Sequence, residues 1–199
     1  KPIILSLGLA NKKDIDLAIK TIKRNGNTKI ILLKCVSVYP ALTSEQNVSA
    51  INEIEKKYKI PCGLSDHTLG YIAPVTAAVL GAKLIEKHFN INNNKSVDSF
   101  FSTNENEFKN MVDQIRLAES SLGDGRIEIS KNSKKNYNSR RSIYVSKNIK
   151  KGETITDENI KIVRPNYGLH PKYFKFVINK ISNTNLKIGD RFKIKYVKK

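Results

Sequence analysis

The sequence predicts an α/β fold, half of a (β/α)8 barrel followed by a small β module. Three observations predict it: apolar, β-branched runs alternate with helical patterns, the charge balance shifts near residue 126, and a glycine turn recurs near the C-terminus. The apolar runs at 2–7, 29–35, 60–65 and 82–89 are unbroken rather than alternating, as in parallel strands buried on both faces. Successive strand–helix units are spaced by about 23–30 residues, the rhythm of a barrel whose full circuit takes about 250 residues. Only half a circuit is present.

Each intervening helix has its own signature. Ile15, Ala18, Ile19 and Ile22 fall on one face, and Gly26 supplies a stop. Val48, Ile51, Ile54 and Tyr58 form a second stripe, ended by Pro61. The stretch 72–80 is a third, closed by Gly81. In the fourth, Asn104 and Glu107 make a capping box ahead of Phe108, Met111, Val112, Ile115 and Leu122.

Residues 1–125 carry 16 Lys and Arg against 13 Asp and Glu, a net +3, whereas 126–199 carry 20 against 5, a net +15. We read 1–125 as the partial barrel, 126–139 as a polar linker and 140–199 as the β module. Within the module, 142–145 and 161–163 read as strands. The glycine turn at 149–155 is echoed 37 positions later at 186–192, which suggests a compact β fold with internal pseudo-symmetry.

A basic half with interleaved Tyr137, Tyr144, Tyr167, Tyr173, Phe174 and Phe176 could form a nucleic-acid or polyanion surface. The competing account is a Lys/Asn/Ile-biased composition that loads lysine onto any solvated face. The lysines are scattered rather than set on one stripe, which favours the second account, and no nucleic-acid partner is expected. A salt titration separates the two, because phosphate-driven affinity falls steeply with log salt. No apolar run approaches the ~18–20 residues of a membrane helix, and the start lacks a signal-peptide cleavage pattern. A cytoplasmic location without membrane contact is therefore expected. The chain starts with Lys1 and runs at once into an apolar strand, which suggests that it begins inside a larger fold.

On a barrel of this kind, chemistry sits at the C-terminal strand ends. The third strand ends at Ser65-Asp66-His67-Thr68, and the fourth carries Glu86-Lys87-His88. Period-two alternation points Ser65 with His67 and Glu86 with His88. The two imidazoles are thus expected to converge and, with waters, to hold a divalent cation with open positions for substrate. Ser6, Ser37 and Ser65 recur at three strand ends, where small hydroxyls can donate to phosphate or carboxylate oxygens, or can simply cap helices. Lys34 reads either as an anion partner or as a lysine reaching past the rim. Cys35 and Cys62 read as small buried hydrophobes rather than redox partners.

These residues resemble the nonulosonic acid synthases. The resemblance rests on Leu33-Lys34-Cys35, Tyr39-Pro40, the string 63–70, Ile85-Glu86-Lys87-His88-Phe89, Val97-Asp98-Ser99, Arg141-Ser142 and Arg164-Pro165, in order along nearly the whole chain. Lys34-Cys35, Val97-Asp98-Ser99 and the string 167–173 look more like the pseudaminic-acid-forming branch than the N-acetylneuraminate branch. The resemblance implies a metal-dependent barrel joined to an antifreeze-like (SAF) β-clip domain. It implies condensation of phosphoenolpyruvate with an open-chain acetamido-deoxyhexose, of the 2,4-diacetamido-2,4,6-trideoxy-altrose type, with release of phosphate. It assigns Mn2+ or Mg2+ to His67 and His88, phosphoenolpyruvate to Ser6, Ser37 and Ser65, and the sugar to Tyr39, Glu86 and Asp98. Ser37 departs from the asparagine of sialic-type members. Arg164 would reach the acetamido group in the partner subunit of a domain-swapped homodimer. An N-acetylneuraminate or legionaminate synthase stays open as an alternative. Family members carry a further half-barrel upstream, with an anion-binding lysine and a glutamate near the sugar, so these 199 residues alone are expected to be inactive.

Overall fold

A computed structural model describes residues 1–91 and 95–197, so the last two residues of the expected 140–199 module lie outside the described residues. The chain forms two compact units, 1–126 and 127–199. The first unit runs β1 (Ile3–Ser6), α1 (Lys12–Arg24), β2 (Ile30–Cys35), α2 (Ala50–Tyr58), β3 (Cys62–Asp66), α3 (Ile72–Val79), β4 (Ile85–Lys87) and α4 (Glu105–Leu122). The four strands are parallel and adjacent in chain order, β1-β2-β3-β4. A doubly wound sheet would instead reverse direction at a switch point.

One face of this sheet builds the core. Ile30 and Leu32 from β2 and Cys62 and Leu64 from β3 pack with Ile19, Ile51, Ala73 and Ala77 from the helices. The opposite face carries Leu33, Cys35, Gly63 and Ser65, as the period of two requires. The expectation that all four strands are buried on both faces holds for β2, which has buried residues on each face and none exposed, and for β3, which is buried throughout. In β1 and β4, which sit at the two ends of the strand order, Ile4 and Glu86 are exposed.

The helix ends follow local chemistry, with some corrections. Asn104 and Glu107 form the capping box of α4, and Asn11 with Asp14 forms another at α1. The stop of α2 is set by Lys59, which adopts the left-handed conformation, two residues before Pro61. Leu122 is exposed instead of sharing the buried face of Met111 and Ile115.

The second unit contains α5 (Lys131–Lys134), β5 (Ser142–Val145), β6 (Ile160–Val163) and α6 (Phe174–Val177). The stretch 126–139 therefore contains one turn of helix and a 3-10 turn at Tyr137–Ser139, although every residue in it is exposed. Strands β5 and β6 pair antiparallel over a core of Ile143, Val145, Ile149, Ile155, Ile160, Val177, Leu186 and Phe192. The two glycine turns are related by a local pseudo-twofold. Ile149 and Leu186 exchange both backbone hydrogen bonds. Lys151 N–H donates to Asn185 Oδ1, and Ile188 N–H donates to Asn148 Oδ1. Gly152 and Gly189 both take φ near +89°, a conformation that favours glycine. The echo in sequence is thus a pair of interlocked turns.

Candidate active site at the strand ends

The site is assembled by adjacent strands in register. Ser65 on β3 faces Glu86 on β4. The Ser65 hydroxyl donates to Glu86 Oε1 at 2.7 Å. Two residues further along each strand direction, the His67 and His88 rings lie 5.2 Å apart, centroid to centroid, and are inclined by 70°.

His67 is buried and held on several sides. Its Nδ1 lies 2.8 Å from the Val36 carbonyl, to which it donates when that nitrogen carries the proton, and its own carbonyl accepts from Ala41 N–H at 2.9 Å. This tautomer, assigned from the bonding partner, leaves Nε2 with its lone pair. The Cys35 sulfur is 4.0 Å from the same Nδ1 and 3.8 Å from the Ser37 hydroxyl. His88 is half-buried, with Asp98 Oδ2 3.7 Å from its Nδ1, beyond hydrogen-bond distance. Its carbonyl accepts from both the backbone N–H and the hydroxyl of Thr103 at 2.9 Å.

The Tyr39 ring sits 4.3 Å from His67 and 5.8 Å from His88. Phe101, buried, closes the cluster 4.7 Å from His88 and 5.3 Å from Tyr39. Beyond it a cavity of about 400 Å³ is lined by Leu69, Gly70, Tyr71, Phe100 and Phe101 with Ser102, Thr103, Glu107 and Asn110.

The centroid spacing of the two imidazoles matches that of two rings on a shared divalent cation. Rings that ligate one ion at neighbouring positions have centroids roughly 4.5–5.5 Å apart. Among the described residues no group of three His, Cys, Asp or Glu side chains gathers for a metal, so the protein would supply two nitrogens and leave the other positions to water or substrate oxygens.

His67, His88, Ser65, Glu86, Tyr39 and Asp98 are thus brought together. Ser37 lies two residues beyond β2, against the turn after β1, where a side chain on Gly8 would meet its hydroxyl at 2.7 Å. Ser6 is the exposed last residue of β1. Arg164 belongs to the second unit, exposed, directly after β6. Lys34 does not stand free: it donates to the Cys35 carbonyl at 3.0 Å, and burial lowers its pKa. Cys35 and Cys62 are buried free thiols, and burial pushes the Cys62 thiol up. Phe101, the Val36 carbonyl and the Lys87–Asp66 pair were not foreseen. For the ion pair the available signal was Lys87 inside the 82–89 run and Asp66 directly after the 60–65 run, because buried charges need partners.

The NeuB family matches residues 1–127 and the SAF domain matches 140–192. The chain is 42% identical to pseudaminic acid synthase of Campylobacter jejuni subsp. jejuni serotype O:2, over 97% of this chain and 57% of that protein. It is 41% identical to pseudaminic acid synthase of Helicobacter pylori, over 94% and 56%. The crystal structure of the spore coat polysaccharide biosynthesis protein SpsE of Bacillus subtilis superposes with a TM-score of 0.57 at 30% identity, over all of this chain and 62% of that one. The chain thus spans a little over half the length of the curated relatives it matches.

Proposed function

Because the chain belongs to the NeuB family and carries an SAF domain, we propose that it is the barrel-half and SAF region of a nonulosonic acid synthase, of the pseudaminic-acid-forming type. The reaction is the condensation of phosphoenolpyruvate with a 2,4-diacetamido-2,4,6-trideoxy-altrose-type aldehyde, forming a carbon–carbon bond and releasing phosphate. The single observation that carries this reading is the convergence of His67 and His88 beside the hydrogen-bonded Ser65–Glu86 pair. The four-stranded sheet is read as half of a (β/α)8 barrel wall.

Each residue has a physical role in this reading. Ser37 and Ser6 donate hydrogen bonds to phosphoenolpyruvate oxygens, and the Ser65 hydroxyl, whose one proton goes to Glu86 in the free protein, turns to donate to the same ligand when it binds. Glu86, Tyr39 and Asp98 hold the sugar hydroxyls, with Glu86 oriented by the Ser65 hydroxyl in the free protein. Arg164, supplied by a partner subunit, takes the acetamido group. His67 and His88 would hold Mn2+ or Mg2+, which when bound supplies Lewis-acid polarisation of the aldehyde oxygen. The His67 Nδ1–Val36 contact favours the neutral tautomer whose Nε2 lone pair faces away from that carbonyl and can ligate.

The test is metal-dependent phosphate release from phosphoenolpyruvate in the presence of the acetamido-sugar, by a chain that also carries the upstream half-barrel and by its His67→Ala and His88→Ala variants. Each substitution is expected to lower the rate at least about 100-fold and to weaken Mn2+ binding in step. Full activity without either imidazole overturns the metal reading. Analysis of the sugar product by NMR separates pseudaminic acid from legionaminic or N-acetylneuraminic acid.

A further inference from the structure

Strands β3 and β4 are cross-linked on both faces of the sheet, and only one of these links belongs to the site described above. On the opposite face, Lys87 Nζ donates to Asp66 Oδ2 at 2.6 Å, and both side chains are essentially inaccessible to solvent. Asp66 lies between Ser65 and His67 in the chain, and Lys87 between Glu86 and His88, so the pair sits directly behind four site residues. Its bonds also bracket Thr68, the residue that follows His67. Asp66 Oδ1 accepts from Thr68 N–H at 3.0 Å, while Lys87 Nζ donates to the Thr68 carbonyl at 2.6 Å. His67 is therefore fixed from the β2 side through Val36 and Ala41, and from the β4 side through Lys87.

An ion pair in an apolar layer is a poor device for stability, because apolar residues of similar volume serve as well or better. Its neighbours on this face, Leu64 and Ile85, belong to the apolar core layer. We propose that Asp66 and Lys87 are positioning residues: the pair sets the spacing between the His67 and His88 rings, and so the geometry of the divalent-cation site. This rests on the reading of those rings as cation ligands. It assigns the pair no contact with substrate.

The test uses the full chain, with Mn2+ alone as the probe. The apolar double variant Asp66→Leu/Lys87→Met avoids leaving one buried charge unpaired but removes the partners of the buried Thr68 N–H and carbonyl, so it is expected to keep the circular dichroism spectrum of the wild type with a lower urea midpoint. Its Mn2+ affinity is expected to fall roughly 10–100-fold, as when an outer-shell partner of a metal ligand is lost. A second variant, Lys87→Arg, keeps the charge but cannot hold both the carboxylate and the Thr68 carbonyl at the same lengths. It decides the matter if the double variant does not fold, with a loss of at least about threefold expected. Wild-type Mn2+ affinity in a folded variant overturns the proposal.

A metal-free readout separates this idea from the functional reading beneath it. The His67 Nδ1–H proton, shielded by Val36, should give a slowly exchanging downfield NMR signal in the wild type that broadens or disappears in the folded variants. If wild-type protein binds no Mn2+, the cation reading fails, and the NMR comparison still decides whether the pair positions His67. An unchanged ring-proton signal in the variants overturns the positioning role.

Discussion

Gly63 shows how a single residue sets the site. A side chain added there would place its first carbon 2.3 Å from the Leu84 carbonyl oxygen and 2.8 Å from a Leu33 methyl. The adjacent Leu64 N–H donates to that same carbonyl, so β3 and β4 can be in register only if residue 63 has no side chain. Gly63→Ala is therefore expected to cost about 3 kcal/mol in urea unfolding, since neither the backbone nor the packed Leu33 can give way cheaply. An unchanged midpoint would show that the two strands have room to part. Lys34 makes a prediction about pH. The unfolded lysine keeps its proton to about pH 10.4, whereas the folded one, its pKa lowered by burial, releases it earlier. Between those two pH values the unfolded state binds more protons, so this residue makes stability rise with pH across that window and opposes folding below it. Lys34→Met should raise the urea midpoint at pH 7 and flatten that alkaline rise. Both effects were hidden in the sequence, where Gly63 looks like any strand glycine and Lys34 like any rim lysine.

At the level of the element, caps and stops were legible where side chain and backbone chemistry are local. The box at Asn104 and Glu107 could be read directly, because the two residues bond each other's backbone within one turn. The matching box at Asn11 and Asp14 went unread, since a shorter acid closes it. Replacing Asn104 by Ala should cost about 1 kcal/mol, measured as a shift of the urea midpoint by circular dichroism, and Asn11→Ala should match it. A loss at only one of the two sites would mean that the ends of α1 and α4 are held by packing instead. The imidazole pair was also legible, because strand alternation and strand order together fix which residues converge. What the sequence hid depends on contacts distant along the chain. Phe101 reaches His88 and Tyr39 from a loop with no periodicity, and the exposed faces of β1 and β4 follow from their place at the ends of the strand order rather than from their composition.

For the molecule as a whole, the division of charge and the division of structure fall near the same point in the chain. Residues 1–126 and 127–199 each have their own apolar cluster, one of helices on a parallel sheet and one of interlocked turns around Phe192. Between the last turn of α4 and β5 no residue from 121 to 141 is buried, and Ile127 is fully exposed. The short helix α5 within this stretch has no buried residue to anchor it, and a four-residue helix contributes little by itself. Proteases cut where backbone can open without breaking a core. Limited trypsin digestion should therefore cleave first at Arg126, Lys131, Lys134, Lys135, Arg140 or Arg141, even though lysines are plentiful elsewhere on the surface. The products should be two resistant pieces, separable by mass, each with cooperative unfolding of its own. First cuts spread evenly over the lysines of 1–120 would show instead that the parallel sheet, with Ile4 and Glu86 exposed on the strands at either end of its order, opens more readily than the segment joining the two units.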